Sequence, residues 1–244
     1  MTAMQPRSLR ILQGLAASLS LLAMTPAKAG PDIQHWVAET GARVYFVESR
    51  ALPMVDVQVS FAAGSAYDPA DKAGLAALTR SLLDAGTAGL DEQAIADRTA
   101  DIGAQIGGGT DDDRASLSVR TLSSSAERDA AVALAAELLA SPAFPREVLE
   151  RERARSIAAL REALTQPASL AARSFSPAVF GDHPYGRITT EASLTAIARE
   201  DLLRFHLQHY VAQRASVAIV GDVSRAEAAA MAERLTAGLP AGEP

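Results

Sequence analysis

Three residues on one face of a predicted helix occupy positions suited to metal chemistry, and none of them can perform it. The stretch GLAALTRSLLDAGT, residues 74–87, has the pattern of an amphipathic helix that ends on a glycine. Its leucines form a core stripe, so Ala77, Arg80 and Ser81 share the opposite face, because offsets of three and four residues bring side chains together. Two histidines and a glutamate at such offsets bind zinc and activate water. A methyl group, a guanidinium and a hydroxyl supply neither a metal site nor a general base.

Other residues with chemical potential have simpler interpretations. His206 and His209 are three apart on one predicted helix, a spacing that can hold a metal, but no third ligand lies near them and a role at the helix end is favoured. Asp111–Asp113 lacks the spacing of a calcium-binding loop and is typical of a solvated turn. Gly107–Gly109 follows no buried strand and precedes no helix, so it is not a dinucleotide fingerprint. Ser81 has no neighbouring histidine and no nucleophile-elbow motif, which disfavours covalent catalysis.

Composition restricts the partners and the compartment. The chain has 244 residues, 48% of them hydrophobic and 21% charged, as in an ordinary globular protein. Residues 1–29 combine two arginines, an apolar run and a final Ala-Lys-Ala, which predicts a signal peptide cleaved after Ala29 and an exported, periplasmic protein without a stable membrane anchor. Three of the 23 basic residues fall there, which leaves 20 against 29 acidic ones and disfavours nucleic acid as a partner. The absence of cysteine excludes disulfides and thiolate zinc sites.

Hydrophobic periodicity predicts a single α+β domain over residues 30–244. Alternating patterns with one buried side predict strands at residues 42–48, 54–62, 115–119 and 216–220. Helical patterns cover residues 71–85, 91–101, 125–140, 146–164, 168–179, 199–209 and 224–236. Because strands and helices come in blocks instead of strict alternation, we expect a mostly antiparallel sheet with helices packed on one face.

Short motifs follow one another along the chain in an order typical of one family. They are Ala63-Gly64-Ser65, Asp68-Pro69, Gly74-Leu75-Ala76, Leu82-Leu83, Gly86-Thr87, Gly103-Ala104, Phe144-Pro145, Gly181 to Arg187, Phe205-His206, His209-Tyr210 and Val220 to Val223. In this order and at this spacing they resemble the pitrilysin and insulinase family of zinc metallopeptidases, the inverzincins, whose mark is H-x-x-E-H. The resemblance covers residues 40–225. It implies one half of a pitrilysin-like or mitochondrial-processing-peptidase-like subunit.

The same resemblance implies that the zinc site has been lost. In register, the two histidines of the motif fall on Ala77 and Ser81, and the glutamate base falls on Arg80. The third zinc ligand of the family, a glutamate on a later helix, falls on Ala158. The chain is therefore similar to the non-catalytic subunits of the family. No catalytic residue and no cofactor are expected in it, and zinc is expected only in a partner subunit.

The resemblance also implies a paired assembly that encloses a chamber for peptides. The expected partners are a zinc-bearing homologous subunit, a homologue of the C-terminal half of the family, or both. Relatives hold peptide substrate as an added strand on a sheet edge, and the matching positions are Gly107, Gly108, Gly109 and Thr110, where glycines replace bulkier residues. Two alternatives stay open: a scaffold or peptide-binding module without a peptidase partner, and a zinc metallopeptidase with a non-standard ligand set.

Overall fold

A computed structural model describes residues 30–240 and residue 242, so the predicted signal peptide lies outside the described residues. All helices and strands of these described residues belong to a unit that begins at Ile33. None of the helices in the described part of the chain combines the length and the apolar character needed to span a bilayer.

A six-stranded sheet forms the base of the fold. Its strands are β1 (Gln34–Val37), β2 (Arg43–Glu48), β3 (Met54–Phe61), β4 (Gln105–Gly107), β5 (Ala115–Leu122) and β6 (Ser216–Gly221). The spatial order is β1-β2-β6-β3-β5-β4, and β2 with β6 is the parallel pair among otherwise antiparallel pairings. This order places β4 at one edge of the sheet, next to β5.

Eight helices accompany the sheet in the described residues. They are α1 (Leu75–Ser81), α2 (Glu92–Asp101), α3 (Ser125–Ala140), α4 (Arg146–Ala163), α5 (Pro167–Phe180), α6 (Glu191–Ala196), α7 (Arg199–His209) and α8 (Arg225–Thr236). The core lies between the helices and one face of the sheet, because the alternating apolar residues of the central strand β3 are all buried while Gln58 on its other face is exposed. The predicted α+β domain with a mostly antiparallel sheet is confirmed.

Four elements differ from the prediction by periodicity. The helix predicted over residues 71–85 spans only Leu75–Ser81. It begins after Gly74, whose φ of +106° is left-handed and interrupts the helical path, and Leu82 ends it. Strands β1 and β4 and helix α6 were not predicted by periodicity, because each has six residues or fewer and too few turns or alternations to produce a clear pattern.

Candidate functional site

Helix α1 presents its three candidate residues in two different environments. Ala77 and Ser81 are exposed, and the Ser81 hydroxyl donates a hydrogen bond to the carbonyl oxygen of Leu78 at 3.0 Å. Arg80, by contrast, is only 6% exposed. The leucine stripe of the same helix lies in the core as predicted. The helix face that the sequence predicts as polar thus has a surface part and one buried cation.

The start of α1 is held by a buried carboxylate. Asp68 is 3% exposed, and its two oxygens accept hydrogen bonds from the backbone N–H groups of Gly74 and Ala76, each at 2.7 Å. These N–H groups belong to the first turn, where a helix has no internal acceptors for them. Burial raises the pKa of Asp68 to about 6, although the hydrogen bonds oppose the shift. Asp68 therefore fixes the position of α1 with a carboxylate that titrates in a mildly acidic range.

The loop Gly181–Arg187 ties this region to the hairpin formed by β4 and β5. The Arg187 guanidinium donates to the carbonyl oxygen of Asp68 at 2.6 Å. The Tyr185 hydroxyl donates to a carboxylate oxygen of Asp113 at 2.6 Å, and this hydrogen bond raises the pKa of Tyr185. The loop thereby connects the segment before α1 to the tip of the hairpin.

Arg80 takes the place of a main-chain donor between β4 and β5. The register of the hairpin places Gly109 opposite Ser116, since Gly107 faces Ser118 and Thr110 faces Ala115. Ser116 N–H donates to the Gly109 carbonyl at 2.9 Å, and an antiparallel pair of this kind would normally also exchange the reverse bond. Instead, Gly109 N–H points to the Ser116 hydroxyl at 3.3 Å, and Arg80 Nε donates to the Ser116 carbonyl.

The backbone of Gly108 leaves room for the guanidinium of Arg80. Its φ of +138° favours glycine, and a Cβ atom there would lie 2.0 Å from the Ser116 carbonyl oxygen and 2.6 Å from Arg80 Nη2. At Gly109 an added Cβ would meet no atom within 4 Å. Arg80 and Gly108 are therefore one local arrangement, in which the absence of a side chain on the hairpin leaves room for the guanidinium.

The predicted peptide-binding positions lie at this edge of the sheet. Gly107 is the last residue of β4, Gly108 and Gly109 continue the hairpin without regular pairing, and Thr110 forms an isolated bridge to Ala115. The Thr110 hydroxyl is buried and has no hydrogen-bond partner. The structure thus brings Arg80 and the glycine-rich segment together, although they are far apart in the sequence and no pattern in it links them.

The remaining candidates are not assembled into a metal site. Ala158 is exposed on α4, and among the described residues no three His, Cys, Asp or Glu side chains cluster closely enough to hold an ion. His206 is buried, with Nε2 2.8 Å from the Leu139 carbonyl oxygen. His209 is half-buried and packs its ring 4.4 Å from that of Phe205. Burial lowers the pKa of both histidines, which act as packing residues of α7.

The residues that the resemblance aligns with the zinc motif do not fit zinc. Zinc requires three or four N, O or S ligands at about 2.0–2.3 Å. Arg80 has no lone pair and a permanent charge that repels a dication, and Ala77 and Ala158 carry only methyl groups. Ser81 would be a single hydroxyl ligand, and it is engaged with the Leu78 carbonyl.

Comparisons with known proteins agree with the resemblance. Among curated proteins, the chain is 27% identical over 182 residues to an uncharacterized zinc protease of Rickettsia bellii, a match that covers 74% of this chain and 44% of that protein. Among solved structures, it is 37% identical to a peptidase M16 inactive domain from Pseudomonas fluorescens, with a TM-score of 0.83 over 86% of this chain and 52% of that one. The periplasmic protease PqqL from Escherichia coli shares the fold, at 16% identity and a TM-score of 0.77, over 89% of this chain and 25% of that one.

The chain spans about half the length, or less, of these relatives. Residues 43–193 match the family described as Insulinase (Peptidase family M16), and residues 196–244 match the Peptidase M16 inactive domain. With a family match over more than half of its length and the matching fold, the chain belongs to the insulinase family of peptidases, family M16.

Proposed function

We propose that this chain is a non-catalytic, exported subunit of the insulinase family, which works in the periplasm and helps to bind peptides in a chamber shared with a zinc-bearing homologue. The observation that carries the proposal is the guanidinium of Arg80, which is buried at the motif position of the general base and bonded to the Ser116 carbonyl. A guanidinium cannot accept a proton from water at neutral pH. Hydrolysis by the mechanism of the family therefore has to occur in another subunit.

The free edge of β4 supports a role in peptide binding. The main-chain N–H of Ser116 faces β4, so along the regular strand β5 the main-chain groups of Ser118 face β4 as well, and those of its partner Gly107 point inward. The main-chain groups of Ile106, one residue earlier in β4, therefore face outward. In the described residues, no strand pairs with this outer side of β4. An extended peptide can add there as a seventh strand, with main-chain hydrogen bonds that depend little on its sequence.

The open face of the sheet supports association with a second subunit. Two depressions of about 700 and 610 Å³ lie on this face, and Gln58 and Ala218 line both of them. Their linings are largely polar or small side chains, as expected for the wall of a chamber that holds varied peptides. The Pseudomonas fluorescens relative has a further part that this chain does not match, and a homologue of that part is the proposed occupant of the space facing this side of the sheet.

The first experiment combines metal analysis with a peptide-cleavage assay on the purified chain, alone and with an H-x-x-E-H homologue from the same genome. We expect no stoichiometric zinc and no hydrolysis by the chain alone, and stimulated hydrolysis when the homologue is present. Stoichiometric zinc together with cleavage by the isolated chain would instead establish a metallopeptidase with a non-standard ligand set. If pull-down from the periplasm yields no H-x-x-E-H homologue, the scaffold or peptide-binding module without a peptidase partner replaces the subunit.

A restoration experiment tests the register on which the proposal rests. The quadruple variant Ala77→His, Arg80→Glu, Ser81→His and Ala158→Glu is expected to gain measurable zinc binding by calorimetry, because it recreates three ligands and removes the cation. A matched control, Ala77→His with Ser81→His, retains Arg80 and is expected to bind zinc far more weakly. Equal binding by the two variants, or none by either, would refute the proposed register.

A further inference from the structure

The charge of Arg80 is not compensated within the described residues. Of its five N–H donors, only the one on Nε is used, toward the Ser116 carbonyl, and neither Nη nitrogen makes a hydrogen bond or ion pair there. The other buried arginine, Arg128, shows the usual solution, since Asp129 and Glu227 lie 3.1 and 2.8 Å from its guanidinium. A buried cation without a counter-charge is unfavourable. An anion bound to the free Nη groups would therefore stabilise Arg80 in this position.

The free end of the guanidinium keeps a narrow contact with solvent. Arg80 is 6% exposed, and its Nη atoms are not among the fully enclosed side-chain atoms of the described residues that lack a hydrogen-bond partner. Small residues lie around it: Ala77 and Ser81 are exposed on the same helix, and Gly108, which is next to Arg80 Nη2, has no side chain. These positions therefore present no large side chain to a carboxylate that reaches Arg80.

The neighbouring polar groups also favour an anion. The Tyr210 hydroxyl is completely buried without a hydrogen-bond partner, and it lies close enough to Arg80 for the arginine charge to oppose the rise that burial causes in its pKa. No carboxylate of the described residues forms an ion pair with Arg80. Among the described residues, this part of the molecule thus combines a positive charge and unused donors with no carboxylate at ion-pair distance.

We propose that Arg80 binds a carboxylate of the peptide that pairs with the edge of β4. This inference rests on the proposed peptide-binding function and adds the chemical class of its ligand. The bond from Nε to the Ser116 carbonyl fixes the guanidinium beforehand, and the planar fork of its remaining N–H groups matches the two oxygens of a carboxylate. The carboxylate can be the C-terminus of the peptide or the side chain of an aspartate or glutamate.

The test uses three pools of random octapeptides with an uncharged N-terminal dye of the BODIPY type, which has no carboxylate, and binding is measured by fluorescence anisotropy. The first pool has a free C-terminal carboxylate and no Asp or Glu, the second is amidated and has no Asp or Glu, and the third is amidated and contains both. We expect the first or the third pool to bind the wild-type chain at least tenfold more tightly than the second. Preference for the first pool assigns the terminal carboxylate, and preference for the third assigns the acidic side chain.

Variants separate Arg80 from the general charge of the protein. Arg80→Met is expected to abolish the preference between pools, and Arg80→Lys to retain part of it, because lysine keeps the charge but not the fork. Arg146→Met, which removes an exposed arginine on α4, is expected to leave the preference unchanged. Circular dichroism verifies folding, and the Lys variant gives the comparison if the Met variant unfolds.

The possible failures are distinct. If the amidated, acid-free pool binds as tightly as the other two, the carboxylate site is refuted while peptide binding stands. If no pool binds to the chain or to its complex with a homologue, the proposed peptide-binding function is itself refuted.

Discussion

The buried carboxylate of Asp68 predicts an unusual dependence of stability on pH. Asp68 is 3% exposed, and burial raises its pKa from an ordinary value of 3.8 to about 6. In the folded protein this carboxyl therefore retains its proton over a pH range in which the unfolded chain has already lost it. When the folded state binds more protons, stability falls as pH rises, so the contribution of Asp68 is largest below pH 4 and is lost as pH rises through 6.

The size of the effect follows from the two pKa values. One pKa unit corresponds to about 1.4 kcal/mol, so a rise from 3.8 to about 6 corresponds to roughly 3 kcal/mol. Most of this loss is expected between pH 4 and pH 7. Asp68→Asn cannot titrate and keeps one oxygen acceptor for the first turn of α1, so the comparison of the two proteins isolates the carboxyl.

The measurement is the free energy of unfolding in urea, followed by circular dichroism at several pH values. The difference between wild type and Asp68→Asn is expected to fall by about 2.4 kcal/mol from pH 4 to pH 7, since the unfolded carboxyl is still partly protonated at pH 4. Asp101→Asn, a control at an exposed aspartate, is expected to give a nearly constant difference. A difference that is flat or grows with pH for Asp68→Asn would refute the reasoning, because the hydrogen bonds from Gly74 and Ala76 would then outweigh burial.

Three further predictions concern the hairpin, the core and a helix cap. In urea titrations, Gly108→Ala is expected to destabilise the fold by more than about 1 kcal/mol, because the new Cβ would lie 2.0 Å from the Ser116 carbonyl oxygen of β5. Gly109→Ala is expected to leave the stability nearly unchanged, because its Cβ would meet no atom within 4 Å. Leu82→Ala is expected to cost about 2–5 kcal/mol in thermal or urea unfolding, because Leu82 is fully buried; a smaller loss would indicate that the site collapses around the cavity. Hydrogen bonds from Ser224 lower the pKa of Glu227 to about 2. Glu227→Gln is therefore expected to lower the free energy of unfolding above pH 5, by an amount that shrinks as the pH falls to 2. A loss of stability that is the same at every pH would contradict this expectation.

Much of the architecture follows from local patterns in the chain. The buried alternation of β3 and β5 and the long helical repeats of α3 and α4 predict their elements to within a few residues, because each pattern repeats often enough to be distinct. The short elements β1 and α6 lack such repetition. The limits of α1 depend on the left-handed turn at Gly74 and on a carboxylate six residues before it, neither of which shows in hydrophobic periodicity.

That Ala77, Ser81 and Ala158 cannot form a zinc site follows from their residue types alone, because a methyl group lacks a donor atom in any conformation and a lone hydroxyl is not a zinc site. The role of Arg80 cannot be deduced from the sequence in this way. Helical spacing places it on a polar face, where a solvated side chain is the ordinary expectation, yet the packing of α1 beside β5 buries its guanidinium against Ser116 and Gly108. Contacts between residues distant in the chain depend on how helices and strands pack, and that packing alone determines whether the charge faces water, a main-chain carbonyl or a ligand.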